Sequence, residues 1–142
     1  MTDPSAPDSA TSAATVMINR PLPVCWRAFV DAASLTAWVP GLRRVRVVAR
    51  DTEGLPVDVQ FEFAASLTYT LGYQYDLEAH EVRWEPRAGR RDGVSGRARF
   101  VAVEGGTELT YQLTQGAGRS PSERALGEPE ALARAFADWV SR

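Results

Sequence analysis

One phrase constrains this chain more than any other. It is the stretch from Arg20 to Asp31, which runs on into Leu35 to Gly41. Pro21 and Pro23 suit the entry to a helix, where a missing N–H costs little. Leu22, Trp26 and Phe29 then recur at i, i+4 and i+7 and give that helix one apolar face. Ser34 is placed to cap a second short helix ending near Trp38, and Pro40 with Gly41 breaks it. An apolar strand, about Ala14 to Arg20, precedes the phrase, and a long train of strands follows it. A second amphipathic helix comes last. Strand, two short helices, about six strands and a helix describe an α+β domain with a curved antiparallel sheet gripping its final helix. Such a sheet encloses a pocket.

The train of strands is read from period-two alternation. After a strand over Val45 to Arg50, Val57, Val59, Phe61 and Phe63 fall on one face, and Asp58, Gln60 and Glu62 on the other. This is the pattern of a sheet with one wet side. Tyr69, Leu71, Tyr73, Tyr75 and Leu77 alternate with Thr70, Gly72, Gln74 and Asp76 in the same way. A turn carries His80, and Glu81 to Glu85 forms the next strand. An Arg/Gly loop over Pro86 to Gly93 leads to a strand from Val94 to Val103. Glu104, Gly105 and Gly106 mark a hairpin, and Glu108 to Thr114 returns. Ser120 to Glu123 fits a capping box. Gly127 and Pro129 are expected to interrupt the last helix, with Leu132, Phe136, Trp139 and Val140 as its buried stripe.

At 142 residues the chain is long enough for one domain with a substantial core. Met1 to Ala13, rich in Ser, Ala, Pro and Asp, reads as a disordered tail, which leaves 14–142 as the domain. The tail has neither the basic flank nor the apolar stretch of a signal peptide, and the cytoplasm is the default location. No apolar run approaches the roughly 18 residues of a membrane span, so no stable membrane insertion is expected. One cysteine, Cys25, and one histidine, His80, exclude an internal disulfide and make a zinc site unpromising. No cofactor is called for.

All 16 basic residues are arginine, so lysine nucleophiles and Schiff-base chemistry are excluded. The arginines cluster at Arg43, Arg44, Arg46 and Arg50, and again at Arg87, Arg90, Arg91, Arg97 and Arg99. A net charge of -2 with interspersed acids lacks the basic excess of a nucleic-acid footprint. Nucleic acid is not an expected partner. The sequence does not reveal the oligomeric state.

Two phrases carry a resemblance. The first runs I-x-R-P, V-x-W-R-A-F-x-D and L-x-x-W-V-P-G-L, from Ile18 to Leu42. The second joins Val82 to Trp84, Gly96 to Phe100 and Gly105 to Tyr111. Together they resemble the polyketide cyclase/dehydrase and lipid-transport families of the START/Bet v 1-like (SRPBCC) superfamily, over about residues 14–142. The resemblance implies the helix-grip fold, with a cavity between the concave sheet and the C-terminal helix. Members include aromatase/cyclases, lipid and quinone carriers, hormone receptors and ribosome-associated proteins. The resemblance therefore gives architecture and ligand class, not chemistry.

The residues themselves favour binding over catalysis. His80 reads as a solvated turn histidine, and Cys25 as a buried structural thiol, since reactive thiols want an electropositive, partly open site. No pair of acids sits where a general acid/base couple would. Pockets are largely apolar with a few placed polar groups. The expected cavity lining is Phe61, Phe63, Tyr69, Tyr73, Trp84, Ala98, Phe100, Tyr111, Leu132 and Phe136. Ala98 and Ala102 share a strand face with Phe100, where small side chains leave room. Tyr73 and Tyr111 are the polar groups singled out for contact with a ligand oxygen. The leading expectation is a carrier or binder of a hydrophobic small molecule: a lipid, a quinone or a polyketide. The alternatives are a polyketide aromatase/cyclase and a ribosome-associated or other interaction module.

Overall fold

The computed structural model describes residues 10–63, 68–87, 94–115 and 129–142. The first strand, β1, runs Ala10–Ile18, starting within the stretch read as a tail. It pairs with β7 (Gly106–Gln115) along its whole length, from Ala10 opposite Gln115 to Ile18 opposite Thr107. Thr11, Ser12 and Ala13 are exposed, so they carry no apolar alternation to betray a strand. The ladder holds them instead, helped by hydroxyl pairs between Thr11 and Thr114 (2.9 Å) and between Thr15 and Thr110 (3.3 Å).

Helix α1 (Leu22–Phe29), a 3₁₀ turn (Ala32–Ser34) and the single-turn α2 (Leu35–Trp38) carry the chain from one edge of the sheet to the other. The cap in this segment is Asp31, whose carboxylate accepts from the Ala33 N–H at 3.1 Å. Ser34 does not cap α2. Its hydroxyl turns back to the carbonyls of Ala28 (2.9 Å) and Asp31 (2.8 Å) and ties the turn to α1. Strands β2 (Leu42–Arg50), β3 (Pro56–Phe63), β4 (Thr68–Asp76), β5 (Glu81–Pro86) and β6 (Val94–Val103) then meander back to β7. The result is one antiparallel seven-stranded sheet in the order β1-β7-β6-β5-β4-β3-β2. The β6–β7 hairpin turns at Glu104 and Gly105, with Gly105 in the left-handed region at φ 87°. Gly106 follows because a Cβ there would sit 2.1 Å from the Ile18 carbonyl oxygen of β1.

Helix α3 (Pro129–Val140) starts at its proline, where the absent N–H does no harm. The capping box at Ser120 and the Gly127 interruption lie outside the described residues. Leu132, Ala133 and Phe136 are its buried face, whereas Trp139 and Val140 are only half-buried. Glu130 and Arg134 pair on its outer side at 3.1 Å. The helix lies over β1 and β7, while α1 lies over β6 and β7. Phe29 of α1 joins them, its ring 5.2 Å from both Phe100 and Phe136 and 5.8 Å from Trp38.

Arg20 locks the two ends of the fold together. Its guanidinium donates to the carbonyls of Val140 (3.2 Å), Ser141 (3.1 Å) and Arg142 (3.1 Å), while its own carbonyl accepts from the Thr107 hydroxyl at 2.7 Å.

Candidate functional site

The alternation of β3 and β4 sends Val59, Phe61 and Phe63, and Tyr69, Leu71, Tyr73 and Tyr75, to the concave face. Val57 escapes this pattern and is half-buried, because a register irregularity between β2 and β3 twists the start of β3. The helices α1 and α3 fill the β1–β7–β6 half of the concavity. The rest, walled by β3, β4 and β5 together with Tyr111 and Leu113 of β7, is left with an apolar cavity of about 60 Å³.

Seven of the expected residues line it: Phe61, Phe63, Tyr69, Tyr73, Trp84, Tyr111 and Leu132. Three do not. Ala98 is fully buried and outside the cavity wall, because α1 lies over its strand. Phe100 and Phe136 are core residues packed on Phe29 and on each other, with their own rings 6.1 Å apart. Ala102, expected to leave room on the same face, is exposed at the far end of β6.

Sequence reasoning missed the helical side of the wall. Phe29, Val30, Ala32, Leu35, Trp38 and Val39 close the cavity from above, and Val82 and Leu113 complete it from the sheet. A signal existed in the apolar residues that follow α1 without regular spacing, which serve a turn wrapped over a sheet and not one helix face.

Trp84 owes its position to a glycine. It pairs across the ladder with Gly96, where a Cβ would lie 2.6 Å from the indole. The ring leans over this gap and reaches Tyr111 of β7, centroid to centroid 5.5 Å, while its other neighbour, Tyr73, is 5.9 Å away. Phe61 and Tyr69 stack at 5.8 Å on the far side.

The polar content of this lining is small and of one kind. Tyr75 donates its hydroxyl to the Pro56 carbonyl at 2.5 Å. The hydroxyls of Tyr73 and Tyr111 have no hydrogen-bond partner among the described residues, and neither is sealed off by protein atoms. Burial pushes both phenols well above their ordinary pKa, and neighbouring tyrosines add to the effect: Tyr111, Tyr75 and Tyr69 on Tyr73, and Tyr69 on Tyr111. Both are neutral donors at physiological pH. The Trp38 indole N–H is enclosed and has no acceptor among the described residues. No described lining residue carries a charge.

The other residues weighed for chemistry lie elsewhere. His80 adopts φ 54° in the β4–β5 turn and is half-buried. Its ring stands edge-on to Trp26 at 5.3 Å. Cys25 is fully buried and its thiol pKa is raised by desolvation, which keeps it unreactive. Several clustered arginines are tied to acids or backbone: Arg44 to Glu62, Arg83 and Arg97 to Glu81, Arg87 to Asp58, and Arg50 to the Gly54 carbonyl. Among the described residues no helix is long and apolar enough to cross a membrane.

This geometry has many structural counterparts. A START superfamily protein from Mycobacterium smegmatis superposes with a TM-score of 0.77 at 18% identity, covering 92% of this chain and 96% of that one. The Zhui aromatase/cyclase from Streptomyces sp. R1128 gives 0.73 at 16% identity, covering 94% of each chain. Norcoclaurine synthase from Thalictrum flavum, in complex with dopamine and hydroxybenzaldehyde, gives 0.65 at 13% identity, covering 93% of this chain and 86% of that one. No protein-family model matches the sequence, nor does any protein with a curated description. The chain has the helix-grip fold of the START/Bet v 1-like superfamily.

Proposed function

We propose that this protein binds a hydrophobic small molecule in the cavity between β3–β5 and the helical cover, as a cytoplasmic carrier or binding protein. The observation that carries this reading is the wall itself: aromatic and aliphatic, uncharged among the described residues, with two unpartnered phenol hydroxyls. Pockets for organic ligands have this composition. A ligand larger than this cavity of about 60 Å³ enters by displacing the wall. Native mass spectrometry of freshly purified protein tests the reading, together with titration by the neutral apolar dye N-phenyl-1-naphthylamine. A co-purified apolar mass or saturable dye binding is expected. Their joint absence would leave an ordinary packed domain.

A second reading, a cyclase acting on a polyketide, is favoured by the same two phenols, which would polarise a carbonyl. The described lining offers no general base, so binding stands first.

A further inference from the structure

Resting on the cavity's being a binding site, we propose that its ligand is a neutral aromatic carbonyl compound, with the carbonyl oxygen held by the hydroxyls of Tyr73 and Tyr111. Charge supplies the first argument. The described wall has neither a cation for a carboxylate or phosphate nor an anion for an ammonium group. A carboxylate or phosphate would exchange its hydration for two phenol hydroxyls with no counter-charge among the described residues, and an ammonium group would meet no described anion.

Hydrogen-bond sense supplies the second argument. Among the described residues, Tyr73 and Tyr111 both offer unused O–H donors, and the one further buried side-chain polar group without a partner, the Trp38 N–H, cannot accept. The surplus is of donors, and a carbonyl oxygen brings two acceptor lone pairs and no donor. Because burial holds the phenols in their neutral form, they keep the protons they donate.

Shape supplies the third argument. Tyr73, Trp84 and Tyr111 form a continuous aromatic row across the sheet, with Phe29 above Trp84 at 6.2 Å. Ring walls favour flat, π-bearing ligands over kinked aliphatic ones. Gly96 permits this row by leaving Trp84 space to reach Tyr111.

The test uses four probes of one skeleton on the full chain: indane, 1-indanone, indane-2-carboxylate and 2-aminoindane. Binding is followed by calorimetry in the parent protein and in Tyr73→Phe, Tyr111→Phe and the double variant. Phenylalanine keeps the ring and removes only the donor. Each single variant is expected to weaken 1-indanone about tenfold, the size of one hydrogen bond, and to leave indane unchanged. The charged probes are expected to bind more weakly than 1-indanone.

If indane and 1-indanone bind and respond to the variants alike, the carbonyl proposal falls and the cavity reading stands. Tighter binding of either charged probe also overturns it. If no probe binds the parent protein, the cavity reading itself falls. Infrared spectroscopy of 1-indanone on the parent protein decides the matter without variants, should these fail to fold. A carbonyl stretch lowered relative to an apolar solvent supports the phenol contacts, and an unshifted stretch overturns them.

Discussion

Tyr73, Tyr75 and Tyr111 all have phenol pKa values raised above 10 by burial. The folded chain therefore holds protons that the unfolded chain releases above about pH 10. The stability this contributes is complete below that pH and is lost as pH climbs toward the folded values. We expect an alkaline titration in which most phenolate absorbance appears together with loss of near-ultraviolet circular dichroism. Phenolate formation well before unfolding would show the tyrosines to be accessible. Gly96 gives a second prediction at this scale. Gly96→Ala places a methyl 2.6 Å from the Trp84 indole and 2.8 Å from the Gln112 carbonyl oxygen. Overpacking of this kind costs about 1–3 kcal/mol, measurable by urea unfolding. A variant as stable as the parent would mean that Trp84 is not held as described.

At the level of elements, the link between β1 and α1 is tied to the end of α3 by one arginine. Arg20→Ala removes three hydrogen bonds to the carbonyls that end α3. Hydrogen bonds to a charged group and the helix dipole together suggest a loss of about 1–3 kcal/mol. Amide exchange in the last turn of α3 should accelerate in the same variant. An unchanged last turn would show Arg20 to be a bystander.

The sequence displayed Arg20 before Pro21 but gave no sign of this role, because its partners lie more than 100 positions away. Elements whose burial is periodic were legible: β3, β4, the face of α1 and the start of α3 all follow from apolar spacing. The start of β1 was not, since its polar, exposed residues are strand only because β7 supplies the ladder. The 3₁₀ turn was also hidden, since Asp31 and Ser34 are both competent caps and only the packing decides between them.

At the scale of the whole molecule, the concave face is divided in two. Over β1, β7 and β6 it is filled by Phe29, Phe100 and Phe136. Over β3 to β5, and against Tyr111 and Leu113 of β7, it retains the cavity. Alternation along a strand reveals which residues face inward, but not which inward residues a helix will cover. For that reason Tyr73 and Tyr111, expected from their strand faces to point inward, lie in the cavity wall, while Ala98, expected beside open space, is buried outside it.

The division makes opposite predictions for added bulk. Val59 lines the cavity, so Val59→Leu extends into existing space. It should lower stability less than the overpacking cost of about 1–3 kcal/mol. It should also weaken binding of an apolar probe. Ala98 is equally buried but lies outside the cavity wall. Ala98→Leu should lower stability by about 1–3 kcal/mol and affect probe binding only through that loss. Equal destabilisation by both variants would mean that the β3–β5 side is as closely packed as the other. A stable Ala98→Leu variant with reduced probe binding would place the cavity over β6, where the helices now lie.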